Sequence, residues 1–144
     1  MSGQTWLRIG AILGFLSVAL GAFGAHSLRD KYPLRESDSF EVRAGNQRLL
    51  ENFETASRYQ MYHALAIVAV GLIAMSRGSS VGLNTAGWSF LIGTLLFSGS
   101  LYVLSLTGQR WLGAITPFGG VAFLIGWVAL ALAAGRASGT IAAP

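Results

Sequence analysis

The chain has 144 residues, of which 53% are hydrophobic and 11% charged, with 19 glycines and no cysteine. This charged fraction is less than half of the roughly 25% usual in soluble domains, so the composition indicates a membrane protein of one domain's length. The absence of cysteine excludes disulfides, thiolate metal ligands and cysteine nucleophiles. The net charge of +4 comes from scattered basic residues rather than from a dense basic run, so we expect no nucleic-acid partner.

Four apolar segments are long enough to cross about 30 Å of hydrocarbon, which takes about 20 helical residues. We predict an all-α integral membrane four-helix bundle that forms a single transmembrane domain over residues 1–144. The predicted spans cover about 6–25, 59–75, 84–106 and 117–134. An even number of spans places both termini on the same side. The distribution of Lys and Arg near helix ends, Arg136 included, favours a cytoplasmic first loop but leaves the orientation open.

The first span must be distinguished from a cleaved signal peptide, because one basic residue precedes its apolar run and small residues follow it. Small residues also recur on one face of this segment at helical spacing, which is typical of a surface that packs against a neighbouring helix. A cleaved signal has no use for such a face, so we predict a retained helix. The packing positions in this segment are Gly10, Gly14, Ser17, Gly21 and Gly24.

A polar loop at about 27–58 connects the first two spans and contains all six acidic residues. From Asn46 onward its apolar residues fall at helical spacing, with charged residues facing elsewhere. Asn46 is a suitable N-cap. We therefore predict a partly helical loop whose amphipathic helix either lies at the membrane interface or runs straight into the second span.

The third and fourth spans carry further small and hydroxyl side chains. In lipid, serine hydroxyls more often join helices through hydrogen bonds than perform catalysis, and glycines allow close packing. The predicted packing positions are Ser98, Gly99, Gly119, Gly120 and Gly126. Thr116 and Pro117 suit the start of the fourth helix, because threonine can cap it and proline fits its first turn.

Both histidines lie near the ends of apolar spans. His26 follows the first span, and His63 lies just inside the second, with Tyr59 and Tyr62 beside it. We predict that these four residues form a polar cluster at one membrane face. The cluster could handle protons, because imidazole titrates near neutrality, or it could simply hold the first two helices together. Two imidazoles without cysteine are too few for a closed zinc site, so we expect no metal and no cofactor.

Four segments in this order resemble a known family: Gly21–His26, Tyr59–Ala64, Phe97–Tyr102, and Thr116–Gly120 with Gly126–Trp127. The resemblance spans about residues 10–134 and is to the YgdD/YwdK-like family of small four-helix bacterial inner-membrane proteins, a domain of unknown function. It implies a helical bundle in the plasma membrane and a retained first helix. It implies no activity.

The function expected from these observations is that of a non-enzymatic multi-pass membrane protein with a structural, assembly or accessory role. An enzyme is not expected, because no acid lies near either histidine within a span. The alternative is a small transporter or proton-linked carrier that uses the histidine and tyrosine cluster. The expected partners are the lipid bilayer and either a second copy of the chain or another membrane protein.

Overall fold

The computed structural model describes residues 1–135, and within them the chain is helical apart from short connections. Its four long helices are α1 (Gly3–Phe23), α3 (Phe40–Arg77), α4 (Val81–Thr107) and α5 (Thr116–Gly135), and α2 (Arg29–Lys31) is a single turn. Four helical segments are long and apolar enough to cross a membrane, which confirms the predicted all-α membrane fold. Arg136 and the last part of the predicted domain lie outside the described residues.

The first helix begins earlier and continues further than the predicted span. Ser2 caps α1, because its side chain accepts a hydrogen bond from the backbone amide of Thr5. After Phe23 the helix widens into a π-helical segment, Gly24–Leu28, which passes directly into α2. The helical path ends at Tyr32, whose backbone (φ −121°, ψ 69°) has left the α region that Pro33 disfavours for the preceding residue.

The long helix α3 joins the second half of the polar loop to the second span without interruption. It has 38 residues, about 57 Å at 1.5 Å per residue. The amphipathic segment therefore runs straight into the membrane, as one of the two predicted arrangements has it. The N-cap is Ser39, which accepts from the amide of Val42. Asn46 is not the cap, because the helix has already begun; its side-chain amide donates to the Pro33 carbonyl instead.

The helices run antiparallel, with α3 packed between α1 and α4 and with α5 against α4. Near one end of the bundle Gly3 packs against Gly71, and towards the other end Gly24 packs against Phe53. The part of α3 that pairs with α1 therefore begins near Phe53, and the first turns of α3 extend beyond this pairing. The N-terminal amine donates to Asn84 near the start of α4, and Gly82 in the same part of α4 meets Ala133 of α5. The N-terminus therefore lies at the same end of the bundle as the last turns of α5.

The core at this end is built around Trp6, which is fully buried. Its indole packs against Gly87, where a Cβ would lie 2.6 Å from the ring. The indole nitrogen donates to Asn84 Oδ1 at 3.0 Å, which satisfies the polar atom of a buried tryptophan. Large apolar side chains elsewhere remain exposed on the outer faces of α1 and α5, for example Phe15 and Phe118. Lipid is the natural solvent for these faces.

Candidate functional site

His63 lies on the inner face of α3 and is only 4% exposed. Its Nδ1 is 2.8 Å from the Tyr59 carbonyl oxygen, and its Nε2 accepts a hydrogen bond of 3.3 Å from Trp127 Nε1. A carbonyl can only accept and an indole N–H can only donate. The two bonds therefore assign the hydrogen to Nδ1 and require a neutral ring, so both nitrogens are occupied within the chain.

The imidazole belongs to a central aromatic cluster, whose members are Tyr59, His63, Phe90, Phe97, Phe123 and Trp127. His63 stacks on Phe123 with ring centroids 3.4 Å apart and planes inclined by 2°. Tyr59 stacks on Phe97 at 4.6 Å. The cluster brings side chains from α3, α4 and α5 together, and such aromatic contacts contribute about 0.5–1.5 kcal/mol each beyond their buried area.

The central aromatic cluster lies at mid-depth in the bundle rather than at one face. His63 comes ten residues after Phe53, which packs against Gly24 near the far end of α1. Ten helical residues extend about 15 Å, and this is half of a hydrocarbon layer of about 30 Å. His63 is therefore near the centre of the membrane-spanning part of the chain.

The structure does not bring His26 into the predicted polar cluster. His26 lies in the π-helical segment and is exposed, and its imidazole makes no hydrogen bond with any residue from 1 to 135. Tyr59 and Tyr62 do lie beside His63, and Tyr62 is 53% exposed. His26 is left out of the cluster because α3 begins well before the predicted second span, so that His63 lies deep in the bundle rather than at its end. Within residues 1–135 no group of three acidic or histidine side chains could hold a metal ion.

A second polar group links three helices, and of its members only Ser17 was predicted to take part in helix contacts. The Gln60 amide donates to the Leu13 carbonyl at 2.8 Å and accepts from the Tyr102 hydroxyl at 3.0 Å. Ser17 and Ser57 donate to each other's backbone carbonyls at 2.8 and 3.0 Å. A glutamine inside an apolar span, one turn from His63, is the sequence signal that would have found this network.

The eight predicted packing glycines divide into two groups. A Cβ at the first group would approach a neighbouring helix to 3.0 Å or less, and this group comprises Gly10, Gly21, Gly24, Gly119 and Gly126. At the second group no described atom outside the local helix lies within 4 Å, and this group comprises Gly14, Gly99 and Gly120. The first group permits close helix contact inside the bundle, whereas the second leaves small open positions on its surface.

The hydroxyl residues of α4 and α5 differ in their surroundings. Ser98 is fully buried, and its hydroxyl has no hydrogen-bond partner among residues 1–135. Thr116 is the first residue of α5, and its hydroxyl lies 2.9 Å from that of Ser100, so it joins α5 to α4. Pro117 occupies the first turn of α5, where no amide donor is lost.

The fold and this site define a class, a multi-pass α-helical membrane protein with a buried aromatic and polar centre. Residues 20–120 match the family model described as "Protein of unknown function (DUF423)". The chain belongs to this family. This confirms the resemblance seen in the sequence motifs.

Bacterial relatives cover nearly the whole chain. A UPF0382 membrane protein of Staphylococcus epidermidis is 44% identical over 130 residues, which are 90% of this chain and 94% of the relative. The UPF0382 membrane protein YwdK of Bacillus subtilis is 42% identical over 131 residues, which are 91% and 96% of the two chains. A Haemophilus influenzae UPF0382 membrane protein is 42% identical over 126 residues, 88% of this chain and 90% of the relative. No solved structure gives a significant match.

Proposed function

We propose that this protein is a non-enzymatic structural, assembly or accessory component of the bacterial plasma membrane, with both termini on the same side. Its relatives are membrane proteins of bacteria whose names assign no activity. The proposal concerns a role in holding or stabilising other membrane components, through surfaces that the bundle leaves open.

The observation that carries the proposal is the environment of His63. A residue that relays protons or binds a transported substrate needs a free nitrogen and access to water. His63 has both nitrogens bonded within the chain, and its ring is stacked on Phe123. This environment supports a side chain that holds α3 and α5 together, rather than one that carries a solute.

The open glycines indicate where a partner could approach. Gly120 and Gly14 have no neighbouring helix within 4 Å of a Cβ position, within the described residues. Small residues allow helices to approach closely in membranes. We infer that another membrane protein or a second copy of the chain packs against one of these faces.

Affinity purification of the tagged full chain from native membranes, followed by mass spectrometry of proteins, tests this proposal. Gly120→Leu and Gly119→Leu form a matched pair, because only the Gly119 side meets a neighbour, namely Phe97. We expect a stoichiometric companion with the wild-type chain. We expect Gly120→Leu to lose the companion at unchanged thermal stability and Gly119→Leu to be destabilised. Recovery of the chain alone, as single copies, would contradict the accessory role.

A liposome assay tests the carrier alternative directly. The purified chain is reconstituted with a pH-sensitive dye inside the vesicles, and proton movement is followed after a pH jump. We expect the same passive leak with the wild-type chain as with protein-free vesicles. A flux that disappears in His63→Gln, with helicity and melting unchanged, would overturn the proposal.

A further inference from the structure

A cleft lies between the π-helical end of α1 and the facing turns of α3. It consists of two adjoining cavities of about 250 and 500 Å³, which share Arg29, Leu50 and Glu54 in their walls. The size is in the range of small-molecule binding sites. Gly21 and Gly24 of α1 and its extension, which allow close contact with α3, therefore also line a cavity.

The floor of the cleft is apolar and depends on missing side chains. Gly24 faces the ring of Phe53, and a Cβ at this position would lie 2.7 Å from it. Gly21 and Leu50 line the same cavity. The extra residue per turn in a π-helix widens the helix locally, and such segments occur frequently at functional sites.

The cleft is at the level of the lipid head groups. Gly24 comes 21 residues after Gly3 along a continuous helix, which is about 31 Å at 1.5 Å per residue. This equals the hydrocarbon thickness of about 30 Å. Arg29, slightly more than one turn further on, therefore lies beyond the hydrocarbon, while the apolar floor beside Gly21 and Gly24 lies at its edge.

The charges around the cleft are one free cation and two carboxylates. The Arg29 guanidinium makes no ion pair or hydrogen bond with any residue from 1 to 135, whereas the Lys31 ammonium donates to the Leu106 carbonyl at the end of α4. Glu54 uses one oxygen for Arg58, and Glu51 uses one for Gln47, so each carboxylate has another oxygen available.

From this arrangement we propose that the cleft binds the head group of one aminophospholipid, phosphatidylethanolamine in bacterial membranes. The lipid phosphate binds the Arg29 guanidinium, whose fork of donors matches phosphate oxygens. The primary ammonium binds Glu51 and Glu54, and the start of an acyl chain covers the apolar floor. A head group with a phosphate and no amine would bring its negative charge close to the Glu51 and Glu54 carboxylates, of which only Glu54 is paired with a cation, and would bind less tightly. This inference is independent of the proposed accessory role.

Native mass spectrometry of the full chain in detergent tests the site. The chain is titrated with phosphatidylethanolamine, phosphatidylglycerol and phosphatidylcholine that carry the same acyl chains. We expect one lipid per chain, with phosphatidylethanolamine bound most tightly. Phosphatidylcholine should bind more weakly, because its quaternary ammonium has no N–H donor.

Charge variants separate the two halves of the site. We expect Arg29→Gln to weaken phosphatidylethanolamine binding about tenfold, equivalent to about 1.4 kcal/mol. Arg110→Gln is the matched control, since Arg110 follows α4 in another part of the surface and lines neither cavity. Glu51→Gln should reduce the preference for phosphatidylethanolamine over phosphatidylglycerol.

Three results would overturn the inference: equal affinity for all three lipids, unchanged binding in Arg29→Gln, or unchanged preference in Glu51→Gln. Both side chains are exposed, so the variants are expected to fold, and equal melting temperatures verify this. A protein companion found without any lipid preference would contradict only the lipid site. A lipid preference without a companion would contradict only the accessory role.

Discussion

Replacing His63 with alanine removes a ring that connects α3 to α5 at mid-depth in the bundle. Two hydrogen bonds are lost, one to the Tyr59 carbonyl and one from the Trp127 indole. The stack on Phe123 is lost as well. The Trp127 N–H also loses its acceptor, which adds an unfavourable term to the folded state.

The expected destabilisation follows from these contacts. The bond to Trp127 joins two helices, and such bonds within membranes contribute about 0.6 kcal/mol each, while a stacked pair contributes about 0.5–1.5 kcal/mol. A cavity also remains where the imidazole was, because His63 is only 4% exposed. We expect His63→Ala to lower the free energy of unfolding by about 2–4 kcal/mol, which overlaps the range for large-to-small core substitutions.

The second histidine of the chain supplies the control. His26 is exposed and its imidazole makes no hydrogen bond among the described residues, so His26→Ala should change the free energy of unfolding by less than about 0.5 kcal/mol. Unfolding is measured in mixed micelles by titration with sodium dodecyl sulfate and followed by tryptophan fluorescence. Each variant is fitted with its own baselines, because His63 contacts a tryptophan. Equal effects of the two substitutions, or a stable His63→Ala protein, would refute the reasoning.

Three further predictions use the same unfolding titration. Gly119→Ala should destabilise the bundle by about 1–3 kcal/mol, because overpacking forces Phe97 to move. Gly120→Ala should be neutral or slightly stabilising. Equal effects of the two substitutions would contradict the assignment of inner and open glycines. Gln60→Leu should cost about 1–2 kcal/mol, since it breaks two interhelical hydrogen bonds, and an unchanged midpoint would show that the network contributes nothing. Ser98→Ala should be neutral or stabilising by up to about 1 kcal/mol, because it removes a buried hydroxyl without a partner; a clear loss of stability would indicate a hydrogen bond to bound water.

Much of the fold was predictable because it depends on local composition. Four apolar segments of sufficient length require four helices, since backbone groups in hydrocarbon must be bonded within their own segment. The structure has these helices at Gly3–Phe23, Phe40–Arg77, Val81–Thr107 and Thr116–Gly135. The start of α3 was placed too late, because the charged residues after Ser39 resemble a solvated loop although nothing in them breaks a helix.

The candidate site was less predictable because it depends on which faces meet. Spacing along the chain placed Tyr59 and His63 on one helix face, since residues four apart are neighbours on a helix, and in the structure their ring centroids are 6.1 Å apart. It could not reveal that His26 lies about 18 Å from His63 along the bundle axis, because that separation depends on the register of α1 against α3. Nor could it reveal Trp127 as the partner of His63, since the contact joins residues 64 positions apart.

The sequence by itself therefore determined the class of the protein and its four membrane-spanning helices, for the physical reason that hydrocarbon admits few backbone arrangements. Only the tertiary structure decided which polar side chains are enclosed and which are available. Antiparallel packing placed His63 among Phe123 and Trp127 at the centre of the bundle, and it left Arg29 beside a cleft at the membrane surface. The physical reason is that enclosure depends on which helix faces meet and at what depth, and contacts such as that of His63 with Trp127 join residues far apart in the chain.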